Sequence, residues 1–246
     1  MSSQIRAGIH IGVLVPFTNT NLEPDLTLMR PPDCTLHCQR IGGYDAEEVP
    51  GSDQMSKLGT FDISHDLAMI AGARPDVVLY GCTSSTLTLG PEFDRDLALK
   101  IKTGTGAVSL TAAGSLVSAI QALKIHRVGF SSPYVGNINE KAGNFLMQNG
   151  IETVKHAGIG RDLDCYGQGE LTPDEIYQLA LKADSPEAEA IILSCTDMRA
   201  VEVIEKIEAT LSKPVVTSNQ AMMFCLCRKL SIPYHPGLPG RLFDYL

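Results

Sequence analysis

Asp76-Val-Val-Leu-Tyr-Gly-Cys82-Thr83 and Glu189-Ala-Ile-Ile-Leu-Ser-Cys195-Thr196 decide how this chain is read. Each runs from an acid through an unbroken apolar stretch to one small residue and then Cys-Thr. Apolar runs that do not alternate with polar residues read as strands buried on both faces, as in parallel sheets. A second pair, Gly12-Val-Leu-Val-Pro16-Phe17 and Gly129-Phe-Ser-Ser-Pro133-Tyr134, recurs in the same order at nearly the same interval. One short match is weak, but two in register point to two copies of one βα unit.

The rest of the chain keeps that rhythm. Strand-like runs fall at Ile9–Val15, Val77–Tyr80, Ala107–Ser109, Arg127–Phe130, Ile151–His156, Ala190–Leu193 and Pro214–Thr217. Helical patterns lie between them at Asp62–Ala73, Glu92–Gly104, Leu110–Leu123, Gly136–Asn149, Thr172–Ala183, Met198–Leu211 and Gln220–Lys229. Thr172-Pro-Asp-Glu shows how such a helix starts: a hydroxyl cap, a first-turn proline and two acids at the positive helix end. The expected class is α/β, with parallel sheets covered on both faces. The first half comprises residues 1–115 plus 219–246, the C-terminal helix and tail returning to it, and the second comprises 116–218.

Composition narrows the function. Of 246 residues, 44% are hydrophobic and 20% charged, as in a folded globular protein. A net charge of -8, spread along the chain, argues against nucleic acid or an anionic membrane as partner, since both select clustered Lys and Arg. Met1-Ser-Ser-Gln-Ile-Arg lacks the apolar core of a signal peptide, and no run approaches the ~20 residues of a membrane span. A cytoplasmic chain is expected, its seven cysteines mostly free thiols. Cys34 with Cys38, and Cys225 with Cys227, lack a second ligand pair at zinc spacing, so no metal is expected. Cys225 and Cys227 read instead as small buried hydrophobes. No phosphate-binding glycine motif follows the first strand, so no nucleotide cofactor is expected.

In a parallel sheet, ligands collect beyond the carboxyl ends of the strands, where both Cys-Thr motifs fall. Free N–H groups at such a turn hold anions, and the positive end of a following helix favours a thiolate. Gly81 and Ser194 leave room for close backbone approach, and Thr83, Ser84, Ser85 and Thr196 add hydroxyls. Two such turns facing across a cleft would place a thiol, Cys82 or Cys195, on each side of a substrate. That arrangement suits moving a proton between two faces of a carbon, or adding a thiolate to an activated alkene, with cysteines tuned near neutral pKa. Asn19, in the first βα loop, has two readings: an amide orienting a carboxylate, and a cap for the next helix. Tyr134 in the corresponding place offers a phenol, or is a partly buried Tyr with a satisfied hydroxyl. His10, His126 and His156 have no cysteine or acid partner near them in sequence.

These motifs together resemble the aspartate/glutamate racemase superfamily, in the branch with maleate cis-trans isomerase and arylmalonate decarboxylase. The resemblance rests on Val-Pro-Phe-Thr-Asn19-Thr, Gly-Cys82-Thr-Ser, Ser-Pro-Tyr134 with Asn-Glu after it, Ser-Cys195-Thr, Pro-Val-Val-Thr-Ser-Asn-Gln-Ala and the tail Gly-Arg-Leu-Phe-Asp. It implies two Rossmann-like halves related by pseudo-twofold symmetry, an active site in the cleft between them, a homo-oligomer and a small carboxylate substrate. It further implies a cofactor-independent isomerase, with maleate to fumarate as the leading reaction. Cys82 is then the nucleophile that adds to the alkene, Cys195 serves proton transfer, and Asn19 and Tyr134 bind substrate carboxylates. In the racemases of the superfamily the two cysteines act as opposed bases. The decarboxylase branch lacks the first cysteine and gathers a carboxylate at positions matching Thr83, Ser84 and Tyr134. Outside these, a bilobed protein that binds a small carboxylate without catalysis fits the same pattern. Asp197, two residues after the second thiol, would repel a dianion unless it is protonated or turned away.

Overall fold

The computed structural model describes residues 8–43, 48–233, 235 and 237–246, so Met1–Arg6 and the reading made of them lie outside the described residues. Two four-stranded parallel sheets organise the chain. In the first, β1 (Ile9–Pro16), β2 (Cys34–Ile41), β3 (Val77–Tyr80) and β4 (Val108–Thr111) stand in the order β2-β1-β3-β4. In the second, β5 (Arg127–Ser132), β6 (Glu152–Gly158), β7 (Ala190–Leu193) and β8 (Val215–Thr217) stand in the order β6-β5-β7-β8. The sheets share one topology, as the repeat implied. In each, the first and third strands of the unit lie at the centre, in parallel register with Leu14 opposite Tyr80 and Ser131 opposite Leu193.

These central strands are the apolar runs quoted above. Val77–Tyr80 and Ala190–Leu193 are buried at every residue. Burying a large aliphatic side chain contributes about 1.5–3 kcal/mol, which outweighs the weak local preference of a four-residue segment. After β1 comes α1 (Leu22–Met29), and α2 (Ser52–Thr60) and α3 (Ser64–Ala71) precede β3. After it come α4 (Thr83–Leu89) and α5 (Pro91–Thr105), with α6 (Ala112–Ala122) following β4. The second half adds α7 (Gly136–Gln148), α8 (Cys165–Gly169), α9 (Pro173–Ala183), α10 (Ile204–Leu211) and α11 (Ser218–Lys229). The matching helices α6 and α11, which follow the last strand of each sheet, pack against each other, and α11 also packs on α1. Cys225 and Cys227 are buried on α11, as read from sequence.

Three differences from expectation have simple causes. β2 was not anticipated because it is an edge strand: it pairs only with β1 and leaves Cys38 and Arg40 exposed, so it never reads as an apolar run. The helix expected over Leu110–Leu123 starts at Ala112, because the Thr111 hydroxyl accepts the Gly114 N–H and caps it there. The Met198–Leu211 pattern opens with a 3-10 turn at Val201–Val203, and only Ile204–Leu211 is α-helical.

Gly81 shows how tightly the site is built. A Cβ here would lie 2.2 Å from Leu22 Cδ2 and 3.0 Å from the Leu14 carbonyl oxygen. Gly81→Ala is therefore expected to destabilise the protein by about 1–3 kcal/mol, the usual cost of overpacking a core. A denaturant midpoint unchanged from the parent would contradict this account. Among the described residues no helix is long and apolar enough to cross a membrane.

Candidate active site

The two central strands of each sheet lead, at their carboxyl ends, into loops whose residues meet in one cleft. After β1 comes Asn19, after β3 Cys82, after β5 Tyr134 and after β7 Cys195. Together with Thr83, Ser84 and Thr196, all these residues line a single cavity enclosing about 460 Å³, part of it open solvent. The space suits a compact ligand. Met55 and Leu58 from α2 and Ile138 from α7 supply an apolar wall.

On the first half, Cys82 precedes the first residue of α4, so the unpaired N–H groups of that helix start open beside the thiol. Its Sγ lies 3.6 Å from Ser84 Oγ, and the Ser84 hydroxyl donates to Met55 Sδ at 2.9 Å. Thr83 donates its hydroxyl to Ser218 Oγ at 2.9 Å, tying the helix start to α11.

On the second half, Cys195 is held differently. Its S–H donates to Gln168 Oε1 at 3.7 Å, and its sulfur accepts the Asp197 N–H at 3.3 Å. Burial, then the Asp197 carboxylate, push this thiol well above the ordinary cysteine range. The expectation of two cysteines near neutral pKa therefore fails for Cys195, whose thiol keeps its proton. Desolvation is the reason, and it depends on packing that no local motif reports. Tyr134 is likewise raised by burial, with the Cys195 and Cys82 thiols nearby, so its phenol keeps its proton. Its backbone is fixed on both sides. Tyr134 N–H donates to Ser132 Oγ at 3.2 Å, and its carbonyl accepts from Asn139 Nδ2 at 2.8 Å.

Asn19 takes the helix-start role and also lines the cavity. Its Oδ1 accepts the N–H groups of Asn21 (3.1 Å) and Leu22 (2.9 Å) at the start of α1, while its Nδ2 donates to Thr196 Oγ1 at 3.0 Å. The Thr196 hydroxyl in turn donates to the Gly81 carbonyl at 2.7 Å. Its donor proton is thus committed to the peptide that precedes Cys82, and the two thiol-bearing turns are stapled together. Asp197 lines the same cavity. Its Oδ1 turns to the first βα loop and accepts Thr20 N–H at 2.9 Å, Asn21 N–H at 3.1 Å and Asn21 Nδ2 at 3.1 Å.

Two buried acids flank this staple. Burial raises Asp197 to about 6, against the three N–H donors that lower it. Burial raises Asp25, on α1, to about 7, with the Asn219 amide lowering it. Both folded-state values lie above the unfolded value near 3.9, so the folded protein binds these protons more tightly. Stability supplied by them is present at low pH and is lost as pH rises from about 4 to about 7. The cost at Asp25 is on the order of 4 kcal/mol at pH 8, at 1.36 kcal/mol per unit. Asp25→Asn is expected to make the protein more stable at pH 8 and to flatten its stability between pH 5 and pH 8, measured by urea unfolding. A wild-type slope in the variant would count against the assignment.

Sequence reasoning missed Gln168, which enters from the short helix α8 in a polar, glycine-rich segment with no distinguishing pattern. It also missed Asn219 as a site element, although the residue lies within the quoted Ser-Asn-Gln-Ala stretch. Among the described residues, no three of His, Cys, Asp or Glu gather as metal ligands.

Residues 11–243 match the family model described as Arylmalonate decarboxylase. The chain is 25% identical to a maleate isomerase of Pseudomonas putida over 94% of each protein. Among solved structures, it is similar to a maleate isomerase from Pseudomonas putida S16 with maleate, at TM-score 0.87, 21% identity and coverage of 96% of this chain and 97% of that one. A Nocardia farcinica maleate cis-trans isomerase mutant with a covalently bound succinylcysteine intermediate follows at TM-score 0.85 and 22% identity, over 96% and 98% of the two chains. At these identities the structural likeness establishes the two-sheet fold.

Proposed function

The chain belongs to the arylmalonate decarboxylase family, and from that premise we propose that it is an isomerase of a small unsaturated dicarboxylate, converting maleate to fumarate. The observation that carries this reading is the asymmetry of its two thiols. Cys82 sits at the open start of a helix, whereas Cys195 is held as a protonated S–H facing the same cavity.

The reaction divides accordingly. The Cys82 thiolate adds to one alkene carbon of maleate, forming a C–S bond while the π pair moves onto the neighbouring carbon. Cys195 gives that carbon its proton, leaving a succinyl group on Cys82 and a thiolate at Cys195. The former double bond is now single and rotates. Cys195 then takes a proton back, the double bond re-forms and the Cys82 thiolate leaves, so no proton or electron is consumed. Asn19 and Tyr134 hold the carboxylates, with Ser84, Thr83 and the N–H groups at the start of α4 beside them. Two thiols supply both nucleophile and proton, so the cycle needs no metal or cofactor. A two-base racemase works its two cysteines as interchangeable opposed bases, whereas here one stands at a helix start and the other is hydrogen-bonded to Gln168 and the Asp197 N–H. An arylmalonate decarboxylase would have no use for Cys82.

Asn19→Ala is expected to raise KM for maleate about 10–100-fold, the loss of one hydrogen bond to a charged group, with a smaller effect on kcat. We place the protein in the cytoplasm as a homo-oligomer, with halves 1–115 plus 219–246 and 116–218; α6 bridges the boundary between them. The deciding experiment incubates the protein with maleate, aspartate, glutamate and arylmalonates in D2O and follows each by NMR. Fumarate from maleate supports the proposal. Deuterium at the α-carbon of an amino acid, or loss of CO2 from an arylmalonate with maleate untouched, overturns it.

A further inference from the structure

Cys195 is positioned from behind by groups that never reach the cavity. Asn219 on α11 is 1% exposed and spends both amide protons. One goes to the Thr196 carbonyl at 3.0 Å, on the residue directly after the thiol, and the other to Asp25 Oδ2 at 2.7 Å. Asp25 lies on α1, at 4% exposure, so the chain of contacts runs from the first half through α11 to the turn bearing Cys195. Thr196 is the same residue whose hydroxyl binds Gly81 and Asn19. Its carbonyl and hydroxyl are therefore gripped from opposite sides.

We propose that Asp25 is a positioning residue for the isomerisation, its carboxylate orienting Asn219 so that the Cys195–Thr196 turn holds the thiol in line for proton transfer. This rests on the reading of Cys195 as proton donor. A neutral acceptor would satisfy the same amide at less cost to the fold, so the charge calls for a purpose. A carboxylate fixes the Asn219 amide in one orientation, with Nδ2 toward Asp25, whereas a protonated acid also offers a donor and no longer enforces it. Arg199 and Glu202, which follow the Cys195 turn, and Asp197 within it face the same carboxylate; Arg199 favours the charged form and the two acids oppose it. Titration of Asp25 near neutral pH then couples the turn to the medium.

The test compares Asp25→Ala, Asp25→Asn and Asn219→Ala with the parent, using maleate turnover and iodoacetamide labelling of Cys195 read by peptide mass spectrometry. Asp25→Ala is expected to lower kcat more than tenfold with KM changed less than threefold, and Asp25→Asn, which is neutral and carries a donor like the protonated acid, to recover little of kcat although it folds. The acid limb of kcat against pH, near 7 in the parent, is expected to shift in Asp25→Asn toward the lower value set by Asp197. Cys195 is expected to label at least threefold faster in Asp25→Ala and in Asn219→Ala, with buried Cys225 unchanged as the internal control. Should Asp25→Ala not fold, Asn219→Ala and the pH profile of Asp25→Asn decide. An unmoved acid limb together with unchanged Cys195 labelling overturns the proposal. If maleate is not a substrate, labelling alone decides the positioning role, and the failure belongs to the assigned reaction.

Discussion

Cys82→Ala is expected to lower kcat for maleate by at least about 10⁴-fold while KM changes little, because it deletes the nucleophile and leaves the carboxylate-binding groups in place. Without the C–S bond the alkene keeps its double-bond order, and nothing else in the cavity can add to it in the same position. Ser84 is the nearest hydroxyl, and its proton is directed to Met55. Cys82 is small and 5% exposed, so the alanine variant should fold normally. Progress is followed as fumarate formation, with circular dichroism confirming the fold. Residual activity within tenfold of the parent would rule out a covalent pathway through this residue.

Cys195→Ser is expected to produce a different defect: kcat at least about 10³-fold lower, with a succinyl group accumulating on Cys82. Serine or water can still deliver a proton slowly to the addition product. Its alkoxide is too basic to be available for retrieving that proton, so the intermediate is stranded. The buried setting matters here. The burial and the Asp197 carboxylate that keep the Cys195 thiol protonated would oppose an alkoxide still more strongly. Intact-protein mass spectrometry after mixing with maleate reads the adduct, and peptide mapping places it. The adduct separates the mechanisms, because a two-base racemase would lose activity in both variants without ever showing one.

The parts of the site that could be read in sequence are those whose signal is local. Val77–Tyr80 and Ala190–Leu193 are apolar at every position because both faces of each strand are covered. Their boundaries came out unchanged in the structure, and the matched Cys-Thr endings placed Cys82 and Cys195 at the carboxyl ends of central strands, one in each sheet. Asn19 and Tyr134 followed from the second repeated pair. β2 was not legible, because an edge strand with one neighbour tolerates Gln39 and Arg40 where a central one would not. Gln168 was not legible either. Its importance lies in reaching Cys195 from a different loop, and nothing in Cys-Tyr-Gly-Gln-Gly marks that reach.

What the sequence determined by itself is therefore the α/β class, the internal repeat and the pairing of two thiols, since hydrophobic periodicity and strand-end position are written along the chain. What only the tertiary structure decided is the inequality of that pair. The Cys195 thiol is pushed above the ordinary cysteine range because distant segments bury it and set the Asp197 charge beside it, and its turn is gripped through Asn219 and Asp25. Desolvation and charge act through space, between residues as far apart in sequence as Asp25 and Asn219, and so belong to the folded molecule alone.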